Sequence, residues 1–411
     1  MTQRTQSAET SRVVVTGVGA VTALGVGART LHDRWSAGDV GIADGAGAAT
    51  AFDPRDHLTA KAARRADRFT QLAVAAADEA LADAGWEDGT AGLDPSRVGC
   101  IIGTGIGGLG TLEREIEVLD DRGPLGLSPL GIPMLMGNAA TATVAMRRGV
   151  HGPGFATLSA CAAGANAIGT GVRLIQSGDA DAMIVGGSEA TLTRFASTAF
   201  GQMGTLSPDG VSRPFDAHRN GFVMGEGAGV LILEVEARAR ARGATILGVV
   251  AGYATTIDGH HLTAPEPDGT WAALAMRRAL EDAGVAPEDV DYVNAHGTST
   301  ALNDAAEARA LGIALGARAS TVPVSSTKST IGHLLGAGGA VEAIATLLAL
   351  GAGVAPPNLG WADADPAIDL RIVTGGPLPL PAPAGRPLTA LSNSFGFGGH
   401  NAVLCMQAPT S

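Results

Sequence analysis

Cys161 is the residue whose type and surroundings best suit covalent chemistry. It follows the β-type run Ala156-Thr157-Leu158-Ser159 and precedes Ala162-Ala163-Gly164-Ala165, neighbours small enough to leave room for a bulky group on sulfur. Read as opening a helix that reaches about Ser177, the thiol feels the positive end of the helix dipole, which lowers its pKa and favours thiolate. A buried helix-start cysteine with no chemical task would look the same. His296 lies in Asn294-Ala295-His296-Gly297-Thr298-Ser299-Thr300, just past an apolar strand, where glycine and hydroxyl residues form the lip of a site in α/β folds. His333 closes the stretch Ser325-Ser326-Thr327-Lys328-Ser329-Thr330-Ile331-Gly332-His333, which also sets a lysine among hydroxyls. Each histidine taken alone is more often a satisfied structural residue than a catalyst. The turn Asn393-Ser394-Phe395-Gly396-Phe397-Gly398-Gly399-His400-Asn401 can aim backbone N–H groups at a developing oxyanion, although it also reads as a plain glycine-rich hairpin loop.

Other chemistries fit poorly. Neither that turn nor Gly105-Ile106-Gly107-Gly108 has the spacing and strand–loop–helix order of a phosphate-binding loop. The nine histidines show no HExxH or other metal spacing. A net charge of −12 argues against general nucleic-acid binding. Lys61, Arg64, Arg65 and Arg68 nevertheless form a local basic cluster that an acidic partner could dock on, or a solvated helical face.

The elements that must position these residues come from a repeat. The run Thr70-Gln-Leu-Ala, Ala80-Leu-Ala-Asp-Ala-Gly85, Asp94-Pro-Ser-Arg-Val98 and Gly103-Thr-Gly105 is echoed in the second part of the chain. There it reads Thr270-Trp-Ala-Ala, Ala279-Leu-Glu-Asp-Ala-Gly284, Pro287-Glu-Asp-Val290 and Ala295-His-Gly297. Each copy predicts an amphipathic helix closed by glycine, a polar loop, a buried strand and a glycine turn. The pattern continues after Thr157, where a small-residue helix begins near Cys161, and after Thr321, where another begins near Lys328. Val13–Val15, Ala182–Val185 and Gly229–Leu233 are continuous apolar runs, the mark of strands buried on both faces between helices. An α/β protein of two fused halves follows, residues 12–245 carrying the cysteine and 246–411 the two histidines. The segment with Arg238, Arg240 and Arg242 is a solvated connector. Cys100 and Cys405 lie in apolar strands and read as inert core residues, and all three thiols suit a reducing compartment.

Of the 411 residues, 45% are hydrophobic, 17% charged and only 4% aromatic, and 59 are glycine. That mix favours close-packed Ala/Gly helices over an aromatic-rich sandwich. No apolar run is expected to reach the roughly 18 residues of a membrane span. The polar leader Met1 to Arg12 reads as a tail without a signal peptide's apolar region, so a cytoplasmic location is expected.

Together, the Cys, His-Gly-Thr, Lys-x4-His and Gly-Phe-Gly-Gly motifs, in that order, resemble the β-ketoacyl-acyl carrier protein synthases, most closely the synthase II type. The resemblance spans nearly the whole chain, from Val13-Val14-Val15-Thr16-Gly17-Val18-Gly19 to the last strand. It implies a thiolase-like, five-layered αβαβα fold and a homodimer, or a close heterodimer with a chain-length subunit. It implies that Cys161 takes an acyl chain from acyl carrier protein, and that His296 and His333 promote decarboxylation of a malonyl unit and steady the enolate. By the same resemblance Lys328 orients this network, paired with Glu307, and Phe397 is a gate. The Phe397 and Cys161 N–H groups would form the oxyanion hole. Thr298, Thr300, Ile106 and Phe395 would contact substrate, and the basic cluster would dock the carrier. No cofactor is implied beyond the carrier's phosphopantetheine. Asn294, Glu342, Ser392 and Asn393 match positions that hold a structural monovalent cation in some relatives.

Two departures stand out. Gly204 replaces the arginine often found before the Leu206-Ser207 pair, and the segment from Asp33 to Leu58 is short and Ala/Gly-rich. Either suits a specialised paralogue in polyketide metabolism as well as a fatty-acid enzyme. A thiolase would need a second reactive cysteine in the C-terminal half, and the synthase III type has asparagine where His333 stands. A non-catalytic chain-length partner is the alternative from another class, but such partners usually lose the nucleophile that Cys161 retains.

Overall fold

The computed structural model describes residues 12–86 and 89–409, so most of the polar leader lies outside it. The expected apolar runs fall in strands of one large sheet, whose main strands are β1 (Val13–Thr22), β2 (Val98–Gly103), β3 (Gly154–Phe155), β4 (Ala182–Glu189), β5 (Gly227–Val235), β6 (Gly248–Ile257), β7 (Tyr292–Asn294), β8 (Pro323–Ser325), β9 (Arg371–Ile372), β10 (Thr389–Gly396) and β11 (His400–Gln407). Their spatial order is β9-β8-β7-β10-β11-β6-β1-β5-β4-β2-β3, with the two-residue strand Gly25–Val26 beside β1.

That order contains the repeat. One half runs β3-β2-β4-β5-β1 and the other β8-β7-β10-β11-β6, the same succession of first to fifth strands. The pairings agree too, with two parallel steps followed by two antiparallel ones in each half. The halves join where Val14 and Val15 of β1 meet Val249 and Gly248 of β6.

The repeat extends to single atoms. Helices α1 (Arg68–Asp83) and α3 (Thr270–Ala283) each lie directly on the first strand of their half. A Cβ added at Gly17 would sit 2.1 Å from the Ala80 carbonyl oxygen, and one added at Gly252 would sit 2.1 Å from that of Ala279. Asp83 accepts from Val18 N–H at 3.1 Å, and Asp282 from Tyr253 N–H at 2.9 Å. Glycine on the strand and alanine on the helix are therefore one contact used twice, which is why the two stretches echo each other.

Alternate residues along each strand sort into different cores, which defines the layers. Met183 and Val185 of β4, Leu231 and Leu233 of β5, and Leu404 and Met406 of β11 face one central core. It also holds α2 (Ala163–Gln176) and α5 (Gly338–Ala352). Ile184 and Ile232 face outwards onto α1. Val403 and Cys405 face outwards onto α3 and α4 (Ala301–Leu315). The result is helix, sheet, helices, sheet, helices, as expected for a five-layered αβαβα arrangement. Cys100 and Cys405 are buried in their strands, also as expected.

Three expectations need correction. Lys328 opens only the single turn Lys328–Ile331, because Gly332 at φ 75 breaks it, and the long helix starts ten residues later at Gly338. Leu335–Ala352 does reach 18 residues with mean hydropathy 1.6, but 89% of it is buried, so its apolarity serves the central layer. In the connector Glu236–Ala241, Arg238 and Arg240 are exposed, whereas Arg242 just beyond it is bound to the buried Glu234.

Candidate active site

The chemical residues come from both halves and meet at the ends of strands. Cys161 lies in the 3-10 turn Ala160–Ala162 just before α2, and Ala160 holds a strained φ of 48. His296 follows β7. His333 follows the one-turn helix, and its backbone is pinned by His333 N–H to Val223 O at 2.7 Å and Gly225 N–H to His333 O at 2.9 Å. Phe397 sits between β10 and β11, and its backbone N–H donates to the Cys161 thiol. The four line a cavity of about 400 Å³, together with Thr298, Thr300 and Phe395. Ile106 does not line it. It is 42% exposed at the tip of the Gly105–Gly107 loop.

The hydrogen bonds fix where the histidine protons sit. His333 Nε2 is 3.1 Å from Cys161 Sγ, and Leu335 N–H donates to His333 Nδ1 at 3.2 Å. A ring nitrogen that accepts carries no proton, so neutral His333 is protonated at Nε2 and presents a donor to the sulfur. His296 is built the same way. Lys328 Nζ lies 3.3 Å from His296 Nδ1, leaving the Nε2 proton for the cavity, and the two rings stand edge to face with centroids 5.5 Å apart. Burial holds both histidines well below the ordinary range, and the Lys328 charge pushes the same way, so both are neutral donors.

The thiol behaves differently from the sequence expectation. Cys161 is only 7% exposed, and burial raises its pKa to about 11, against the favourable pull of Lys328 and the Phe397 N–H. Desolvation outweighs both. The resting group is a thiol that ionises as it attacks.

The support around the histidines also departs from expectation. Lys328 does not pair with Glu307. It forms a buried ion pair with Glu342, one turn into α5. Glu307, on α4, instead accepts from the backbone N–H of His296 and of Gly297, both at 2.8 Å, and from Asn393 Nδ2 at 3.0 Å. It clamps the loop that carries His296, and burial pushes its carboxyl to about 7. Thr298 and Thr300 bond each other through their hydroxyls at 2.9 Å.

The four residues expected around a cation are largely engaged. The Asn294 amide donates to Thr327, Thr346 and the Glu342 carbonyl, while the Glu342 carboxylate faces Lys328. The oxygens left without partners are Ser392 Oγ and Asn393 Oδ1, two neutral groups and a thin donor set for an ion.

The basic cluster divides. Lys61, Arg64 and Arg65 are exposed around the short helix Ala60–Ala63. Arg68 is committed to the buried Glu226 at 2.7 Å and to the Ala49 carbonyl, so it is structural. Gly204, at φ 66, ends the helix Arg194–Gln202 and lines the cavity mouth.

Several residues of the site gave no sequence signal. Leu335 matters through its N–H, presented by a φ of 44, and no motif announces that. Phe222 stacks edge-on to His333 at 5.4 Å, and Phe200 faces Phe397 at 6.4 Å. Ser159, Asn166 and Tyr253 form a brace behind the nucleophile turn. Tyr253 Oη donates to Asn166 Oδ1 at 2.7 Å, and Asn166 Nδ2 to Ser159 Oγ at 2.6 Å.

Known proteins resemble this chain along nearly its whole length. Residues 10–239 match the family described as "Beta-ketoacyl synthase, N-terminal domain", and residues 247–362 match "Beta-ketoacyl synthase, C-terminal domain". The chain is 46% identical over 420 residues to a 3-oxoacyl-(acyl-carrier-protein) synthase 2 of Synechocystis sp., covering 97% of this chain and 98% of the other. Among solved structures, the ishigamide ketosynthase/chain length factor is similar with a TM-score of 0.89 at 32% identity, covering 97% and 100% of the two chains. A type II polyketide acyl-carrier protein in complex with its ketosynthase, bound to the hexaketide, gives 0.88 at 30% identity, covering 98% and 100%.

Proposed function

The chain belongs to the beta-ketoacyl synthase family, and from that premise we propose that it condenses an acyl group held on Cys161 with malonyl-acyl carrier protein, losing carbon dioxide and extending the chain by two carbons. One observation carries the residue assignment. Two neutral histidines, each with Nδ1 engaged by a donor, turn their Nε2 protons into the cavity where Cys161 lies.

The geometry accounts for each step. Cys161 Sγ attacks the incoming thioester carbonyl while His333 Nε2–H stabilises the developing thiolate, and the thiol proton leaves with the carrier's pantetheine sulfur. The acyl oxyanion faces the N–H groups of Phe397 and Cys161. In the second half-reaction the malonyl C–C bond to carboxylate breaks, and its electron pair moves onto the thioester oxygen. There both Nε2–H donors hold the enolate, so no strong base is needed. The enolate carbon then attacks the acyl-Cys carbonyl, and the C–S bond breaks to release the extended product and leave Cys161 as thiolate, which takes a proton from solvent to restore the resting thiol. Thr298 and Thr300, on the cavity wall, suit the polar pantetheine arm.

Partners follow from the surface. Exposed Lys61, Arg64 and Arg65 offer the acidic carrier a local basic face. Phe155 on the edge strand β3 and Met146 on the helix Ala139–Arg148 packed against it are exposed apolar side chains, an edge suited to a second synthase-fold chain. An intact Cys161 within 3.1 Å of His333 favours a catalytic chain over a chain-length subunit.

The test is to incubate the protein with acyl- and malonyl-acyl carrier protein and to follow products by mass spectrometry. The wild type should form the two-carbon-longer β-ketoacyl product. His333→Ala should still accept label on Cys161 but decarboxylate malonyl on the order of a hundredfold more slowly. Normal decarboxylation by His333→Ala refutes the two-donor mechanism.

A further inference from the structure

Glu189, at the end of β4, is a buried carboxylate to which the reaction above gives no task. It is fully enclosed and takes donors from two segments. Its Oε2 accepts from Gly105 N–H at 2.6 Å and Gly336 N–H at 3.1 Å. Its Oε1 accepts from the Thr104 hydroxyl at 2.9 Å, and from Ile106 and Gly107 N–H at 3.3 Å. So many donors are what an ionised carboxylate requires when it is cut off from water.

What those donors hold is the informative part. Gly336 directly follows Leu335, whose N–H fixes the tautomer of His333. Leu335 has φ 44, a conformation that a side-chain-bearing residue keeps only where its surroundings enforce it. The loop at Thr104–Gly105 packs so closely on Gly336 that a Cβ there would fall 2.1 Å from Gly105 N. A Cβ at Gly105 would lie 2.8 Å from Glu189 Oε2 and 3.7 Å from the carbonyl oxygen of Ala160, beside the nucleophile. The carboxylate thus clamps the strained turn between the two catalytic segments.

We propose that Glu189 is a positioning residue for the condensation. Its carboxylate holds Gly105 and Gly336 together, keeps the Leu335 N–H on His333 Nδ1, and thereby reserves the His333 proton for Nε2. Without that clamp Leu335 can relax, Nδ1 loses its donor, and the ring can carry its proton on the wrong nitrogen. The inference rests on the condensing role of His333, but its first readout does not.

The test is Glu189→Gln, which keeps the shape and replaces one acceptor oxygen by a donor facing N–H groups. With histidines labelled by ¹⁵N, the His333 signal, assigned by its loss in His333→Ala, should report Nε2–H in the wild type. In the variant it should report a substantial Nδ1–H fraction. The kcat for malonyl decarboxylation should fall on the order of tenfold with KM unchanged, short of the loss from removing the donor outright. A merely structural residue would lower thermal stability without moving the tautomer. A folded Glu189→Gln that keeps the wild-type His333 signal and kcat overturns the proposal. If it does not fold, Gly105→Ala, whose Cβ displaces Oε2 and leaves the charge, is read in the same way. A wild type that does not decarboxylate malonyl would refute the condensing role, and the tautomer would still decide on Glu189.

Discussion

The resting state of Cys161 can be tested by how fast it is alkylated as pH changes. Burial lifts its pKa from 9.0 to about 11, and two units correspond to about 3 kcal/mol against thiolate. A helix N-terminus returns about 0.3–1 kcal/mol, and about 2 at best. Burial wins. At pH 7.5 the thiolate fraction is then on the order of one in several thousand, and alkylation by iodoacetamide should rise roughly tenfold per unit from about pH 7 to about pH 10. Cys100 and Cys405 are buried in strands with pKa values pushed to about 12, so label in that range reports Cys161, and Cys161→Ala should remove it. Lys328 is the largest of the influences that favour thiolate, so Lys328→Met should slow alkylation further at every pH. A rate already level below about pH 8 would refute the reasoning. It would mean that the helix end and the His333 donor together overcome burial and hold a preformed thiolate.

Further outcomes follow from the same contacts. Lys328→Met strands Glu342, whose pKa burial already raises, without its cation. A carboxyl with a raised folded-state pKa binds its proton more tightly when folded. The variant should therefore lose about 3–5 kcal/mol near neutral pH and regain part of it as pH falls towards 5. A Tm that does not rise between pH 8 and pH 5.5 contradicts this. Reversing Arg64 and Arg65 to Glu should raise KM for acyl carrier protein with strong salt dependence while sparing small thioester mimics. Arg68→Glu should instead destabilise the fold by repelling Glu226, and equal KM effects from both changes would refute the division of the cluster. Gly252→Ala drives a methyl into the Ala279 carbonyl and should lower stability by about 1–3 kcal/mol or more. An unchanged Tm would show that the strand and α3 separate easily.

Much of this protein is legible from the order of its residues. Short continuous apolar runs give strands buried on both faces between helices, whereas the longer apolar stretch Leu335–Ala352 is carried by a buried helix of the central layer. The Ala-x-x-x-Ala-Gly endings of α1 and α3 reveal the duplication because each must let a strand glycine approach its backbone. Motif order likewise brings Cys161, His296, His333 and Phe397 to notice.

What the sequence misjudged concerns partners and solvent. Glu307 and Glu342 are both acidic residues on helices near the histidines, and nothing in their local patterns says which one meets Lys328. The fold decides, by turning Glu342 on α5 towards the one-turn helix and Glu307 on α4 towards two backbone N–H groups. Arg68 looked like its exposed neighbours until β5's flank placed Glu226 beneath it. Cys161 looked activated because a helix start is visible in sequence, whereas the depth at which two sheets and their helices enclose it is not. A histidine's tautomer belongs to the same class. It depends on the N–H of Leu335, presented by a backbone angle that no side chain encodes and that Glu189 holds from more than a hundred residues away.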